Sequence, residues 1–153
     1  MAIYELGLLL DGKILLEKKY YDSKNQLDSE LRAGLLSAID GFAKEAFNTE
    51  LESFTLSSYT IVAISQSLLE PGSYQDKNAP THRLMMFSII DKITEEKVVK
   101  KLMNEALNQF LNRYSTIDIL SREPKYFAKF ADRFDKIFSD LILKTEHRFE
   151  SIL

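Results

Sequence analysis

The dipeptide Asp11-Gly12, set between two apolar runs, constrains this chain more than any other feature. Ile3 to Leu10 is nearly continuous apolar sequence. After the dipeptide, Ile14 to Tyr21 reads as a second strand, with Ile14 and Leu16 alternating with Leu15 and Glu17 before Lys18-Lys19 and Tyr20-Tyr21. A two-residue turn between antiparallel strands demands positive φ, which Gly accepts at no steric cost, so the chain is predicted to open on a β-hairpin.

The period then changes. From about Asp28 to Phe47 apolar residues recur at three- and four-residue steps, as Leu31, Leu35, Ala38/Ile39, Phe42 and Ala46, while Arg32, Asp40, Lys44 and Glu45 lie mostly off that stripe. This spacing predicts an amphipathic helix with Asp28 or Ser29 as its cap. Gly34 and Gly41 sit inside it, each costing about 1 kcal/mol against Ala. Two readings account for them: tight packing on a sheet, or a flat helix-to-helix contact with a partner.

The β signal returns at Leu51, Phe54 and Leu56, and then at the β-branched run Tyr59 to Ile64, with a short turn expected near Ser57-Ser58. Gln66 to His82 holds Pro71-Gly72, Asn78 and Pro80 without any period and reads as the longest loop. Leu84 to Ile90 is a fifth strand. Thr94 is placed to cap a second helix, with Glu95 and Glu96 suited to its dipole and an apolar face from Val98 to Leu111. After the break at 121–123, Pro124 opens a third helix carrying Phe127, Phe130, Phe134, Ile137/Phe138 and Leu141, a stripe whose spacing predicts core packing. Phe149, Ile152 and Leu153 read as a frayed extension or a docked tail. The order is therefore ββαβββαα in one domain over 1–153, with a core over about 3–143 and a tail over 144–153.

At 153 residues, 45% hydrophobic and 28% charged, the chain is long enough to bury a real core. A formal charge of −3 argues against a nucleic-acid partner, which selects for basic excess. The absence of cysteine removes disulfides, thiolate metal sites and cysteine nucleophiles. No apolar run reaches the ~18–20 residues that span a bilayer. The first residues, Met1 to Leu6, lack the basic flank of a secretory signal. The expectation is a cytoplasmic protein with no transmembrane segment.

Catalytic signatures are missing. The two histidines, His82 and His147, lack metal-ligand spacing and are expected in solvent-exposed loop or terminal positions. The five glycines form no phosphate-binding loop, and there is no G-x-S-x-G elbow. Glu95, Glu96, Asp132, Asp135 and Asp140 read as solvated charges. Lys92, Lys97, Lys100 and Lys101 form a short basic strip, either a solvated face or a contact for anionic lipid or an acidic partner. An enzyme would need carboxylates such as Asp76 and Asp91 to converge. No catalytic residue, cofactor or metal is predicted.

The order ββαβββαα, opening with the hairpin Gly7-Leu8-Leu9-Leu10-Asp11-Gly12-Lys13, resembles the longin domain. The stretch Leu35-Leu36-Ser37-Ala38-Ile39-Asp40-Gly41-Phe42-Ala43-Lys44-Glu45 also looks like the first helix of archaeal longin-like or roadblock-like proteins. Roadblock domains normally begin with a helix, so the leading hairpin favours longin. The resemblance implies a five-stranded antiparallel sheet with one helix on one face and two on the other. It also implies a non-catalytic interaction module whose partners are a small GTPase or another longin or roadblock chain, as in GTPase regulation and vesicle trafficking. Homodimerisation and peripheral membrane association stay open. The expected contact surface is the exposed side of the first helix with the neighbouring hairpin strand: Lys18, Tyr20, Arg32, Leu36 and Asp40, with Leu36 off the main apolar stripe. The alternative is a ligand-sensing domain whose Gln66–His82 loop closes over a pocket.

Overall fold

Both turn residues of the opening hairpin adopt positive φ, Asp11 at 49° and Gly12 at 84°, in a computed structural model that describes residues 3–20, 29–47, 52–55, 59–72 and 81–142. At 29–32, 43, 46 and 47 the description is of the backbone alone. Leu10 and Lys13 close the turn as a cross-strand pair between β1 (Ile3–Leu10) and β2 (Lys13–Lys19). The helix α1 spans Ser29–Phe47, and β3 (Ser53–Thr55), β4 (Tyr59–Leu69) and β5 (Thr81–Asp91) follow it. The sheet order is β2-β1-β5-β4-β3 with every pair antiparallel.

Strand β1 lies between β2 and β5, and its near-continuous apolar character reflects burial on both faces. Successive side chains leave a strand on opposite sides, so neighbouring residues feed two cores. Leu6, Leu8, Leu84 and Met86 belong to one, with Val99, Met103 and Phe110 of α2 (Glu96–Arg113). Leu9, Ile61, Met85 and Phe87 belong to the other, with Ala33 and Leu36 of α1. Gly7 stands opposite Phe87, and an added Cβ would come within 2.4 Å of that ring. The glycine leaves room for the aromatic side chain on the neighbouring strand.

The predicted Phe stripe is buried, but not on one continuous helix. α3 (Thr116–Ser121) precedes it, capped by Ser115, whose Oγ accepts the Asp118 N–H at 3.1 Å. With Ile119 as its single buried residue, this short helix has no apolar period to read. A 3-10 helix then spans Pro124–Phe130, with Pro in its first turn, and α4 spans Ala131–Ile137. Three residues per turn align Phe127 with Phe130, and both are buried. Phe130 packs edge-on against Phe110 and Phe134, with centroids 5.2 Å and 5.6 Å away. Such aromatic pairs add about 0.5–1.5 kcal/mol beyond area burial.

Two further expectations are corrected. Both ends of the expected loop are strand instead, because Gln66 to Leu69 and Thr81 to His82 continue the β4–β5 ladder, Leu69 opposite Thr81, while 73–80 lie outside the described residues. Ladder hydrogen bonds override the polar composition there. Thr94 does not cap α2. Its backbone N–H donates to Asp91 Oδ1 at 2.9 Å and its hydroxyl donates to the same oxygen, so Asp91 turns the chain out of β5. Glu95 takes the cap position without a side-chain bond. The Asp28 cap, the turn at 57–58, Asp76, His147 and the tail lie outside the described residues.

Candidate functional site

Helix α1 turns Leu35, Ala38 and Phe42 of the predicted apolar stripe outward, while Ile39 is half-buried against the core on the α1 side. Leu35 is 44% exposed and Phe42 64% exposed, and Ala38 is exposed with them. The buried residues are Ala33, Leu36 at 1% and Asp40 at 4%. The side chains of Leu31 and Ala46 lie outside the description. An ion pair between α1 and β5 fits this orientation, alongside the packing of Ala33, Leu36 and Ile39. Arg83 Nη2 donates to Asp40 Oδ1 at 2.9 Å, and its Nε lies 2.5 Å from Oδ2, close in distance although the directed hydrogen bond is the one from Nη2. A buried carboxylate needs such a partner, and guanidinium meets both oxygens of a carboxylate at once. With Asp40 held inward and about 100° of rotation per residue, Ala33 and Leu36 come to the same side.

What faces away is unusual for a surface helix. From 33 to 42 the exposed positions are Gly34, Leu35, Ser37, Ala38, Gly41 and Phe42, and none is charged. A Cβ built at Gly34 or Gly41 meets none of the described residues within 4 Å, so tight packing on the described sheet is not the reason for either glycine. Lys44 and Glu45 end the uncharged stretch. The result is a low-relief apolar strip flanked by Leu35 and Phe42, of the kind that marks a protein contact.

The five residues expected to form one contact surface divide between two places. Tyr20 Oη donates to Asp135 Oδ1 of α4 at 3.0 Å, and Lys18 Nζ lies 3.6 Å from Asp135 Oδ2. Burial, and after it Asp135, push the Tyr20 hydroxyl well above the usual tyrosine range. Tyr20 packs against the α2 core, whereas Leu36 and Asp40 belong to the α1 side, and Leu36 joins that side's core. Leu36 was expected off the apolar stripe. It is buried because the stripe itself points the other way. Arg32's side chain lies outside the description. Of the basic strip, Lys92, Lys97 and Lys101 are exposed, and Lys100 Nζ lies 3.6 Å from Glu52.

A second polar cluster sits at the hairpin tip. His82 is not in a loop but is the second residue of β5, half-buried between two carboxylates. Its Nδ1 is 2.6 Å from Asp11 Oδ2, and its Nε2 is 2.8 Å from Glu70 Oε1. Among the described residues no three His or carboxylate groups are arranged to hold a metal ion, and no helix is long and apolar enough to cross a membrane. The helical period did locate the exposed apolar strip, but not which way it faces. Neither the protein-family models nor the curated proteins compared with this chain match it.

Proposed function

We propose that this protein is a non-catalytic interaction module of longin-like architecture, with α1 over one face of the sheet and the later helices over the other, that docks a protein partner on the outer face of α1. The observation that carries the reading is the uncharged exposed strip from Gly34 to Phe42, with two helix glycines that nothing within the described chain requires. An exposed helix normally offsets its solvated face with charge, and a partner covering this strip removes the exposed apolar area from water at about 25 cal/mol per Å². Glycines at the seam let a second backbone approach closely. The partner class implied by the longin resemblance is a small GTPase or another longin or roadblock chain.

The test is capture of purified small GTPases in both nucleotide states, with oligomeric mass measured alongside by light scattering. Phe42→Asp and Leu35→Asp place charge on exposed positions and leave the two cores untouched. Each is expected to weaken capture, or self-association, by tenfold or more. Binding and mass unchanged in both variants reject the α1 surface.

A further inference from the structure

His82 occupies a site that asks for a proton. Its ring nitrogens face carboxylates from two different segments, Asp11 in the hairpin turn and Glu70 just after β4. A neutral imidazole has one N–H and one lone pair, so it satisfies one acceptor and turns its lone pair on the other. The imidazolium donates to both. Three chain segments therefore meet at one ring: the β1–β2 turn, the end of β4 and the start of β5.

The surrounding groups define what the proton controls. Asp11 is held a second time by backbone, accepting the Arg83 N–H on Oδ1 at 2.9 Å while its own N–H donates to the Arg83 carbonyl at 3.0 Å. Lys13 of β2 and Arg122 at the end of α3 line the same cleft of about 330 Å³ as Asp11 and His82, and their charges oppose protonation of the ring. Arg122 is engaged elsewhere, 3.4 Å from Asp118 and 5.0 Å above the Tyr126 ring. Arg83, the next residue, directs its guanidinium to Asp40. The two carboxylates at hydrogen-bond distance dominate.

We propose that Asp11, His82 and Glu70 form a proton-operated clasp, which ties the hairpin tip to the adjoining ends of β4 and β5 while the imidazole is charged and lets go of Glu70 when it is neutral. Asp11 lies closer to the ring and is itself positioned by the Arg83 amide, so a neutral ring keeps its N–H on Asp11 and turns its lone pair on Glu70. The hydrogen bond to Asp11, then that to Glu70, raise the ring above its ordinary value of 6.5, against a smaller opposing effect of burial. For Asp11, burial pushes the carboxyl up, but the Arg83 N–H, His82 and Lys13 together outweigh it and leave the group below 3.8. A raised histidine stabilises the fold fully below about pH 6.5 and loses that contribution as pH rises through its folded value. The clasp thus works on the alkaline side of 6.5, with Asp11 ionised throughout.

The experiment is an NMR titration of the His82 ring in the full chain, with His147, the second histidine of the sequence, as an internal reference, and urea unfolding over the same pH range. The His82 midpoint is expected above 6.5, and Glu70→Gln is expected to lower the ring's proton affinity roughly threefold or more. Wild type is expected to lose stability relative to His82→Gln as pH rises above about 6.5. A midpoint at or below 6.5, or one that Glu70→Gln leaves in place, overturns the clasp. If His82→Gln does not fold, the Glu70→Gln titration decides alone.

Discussion

Replacing both α1 glycines by alanine separates stability from docking. Neither Gly34 nor Gly41 adopts positive φ, and a Cβ at either meets no atom of the described residues within 4 Å. The only intrinsic effect is then helix propensity, about 1 kcal/mol gained at each site. The sites are two helical turns apart and share no neighbour, so the gains should add to about 2 kcal/mol. For a chain of this size that raises Tm by about 4–8 °C. The same two methyl groups stand on the strip assigned to the partner and hold a second backbone away. Gly34→Ala/Gly41→Ala is therefore expected to unfold later by calorimetry and by urea, and to capture its partner less well. A destabilised double variant refutes the packing argument. A stabilised one that binds like wild type refutes the assignment of the glycines to the contact.

Four further outcomes follow from the core and its ion pairs. Asp40→Ala removes the carboxylate that the half-buried Arg83 guanidinium faces; with the arginine side chain 17% exposed, the loss by urea unfolding should be at most the low end of the buried-pair range, about 3 kcal/mol, and a loss under about 1 kcal/mol contradicts its role in orienting α1. Gly7→Ala drives a methyl into the Phe87 ring and should cost about 1–3 kcal/mol, opposite in sign to the α1 substitutions. Phe130→Ala empties a site packed between Phe110 and Phe134 and should cost about 3–5 kcal/mol; a smaller value means the C-terminal helices collapse onto the gap. Because the Tyr20 hydroxyl is held protonated above its ordinary value of 10.0, its contribution is present below about pH 10 and lost as pH rises beyond it. Tyr20→Phe should flatten that alkaline decline, and parallel profiles for the two proteins exclude the Tyr20–Asp135 bond as its source.

Local signals carried the hairpin and the Phe stripe, since Asp11-Gly12 and the spacing of Phe127, Phe130, Phe134 and Phe138 express their physics within a few residues. The facing of α1 was not legible. Its inward arc is built from Ala33, Leu36 and a charged Asp40, whose burial is made tolerable by Arg83, 43 residues away. The helical period points to the richer stripe of Leu35, Ala38/Ile39 and Phe42 as the core face, but of these Ile39 alone packs inward. The ends of β4 and β5 were hidden for a related reason: Gln66 and Ser67 look like loop until Leu84 and Arg83 lie opposite them. The site around His82 joins residues 71 and 12 positions from it in sequence, so no motif announces it.

The interior place of β1, between β2 and β5, bears on how the chain is made. Its partner on one side, β2, follows at once, whereas its partner on the other, β5, ends at Asp91, which is 72 residues beyond the end of β2 at Lys19 (91 − 19). At ribosomal rates of about 5–20 residues per second, the hairpin waits roughly 4–14 s with the β1 edge open and its Leu8-Leu9-Leu10 run uncovered. During that wait the edge is an unpaired apolar strand, the kind that associates with other chains. Substitutions that slow translation between residues 20 and 81 should lower soluble yield even where the finished protein is unchanged.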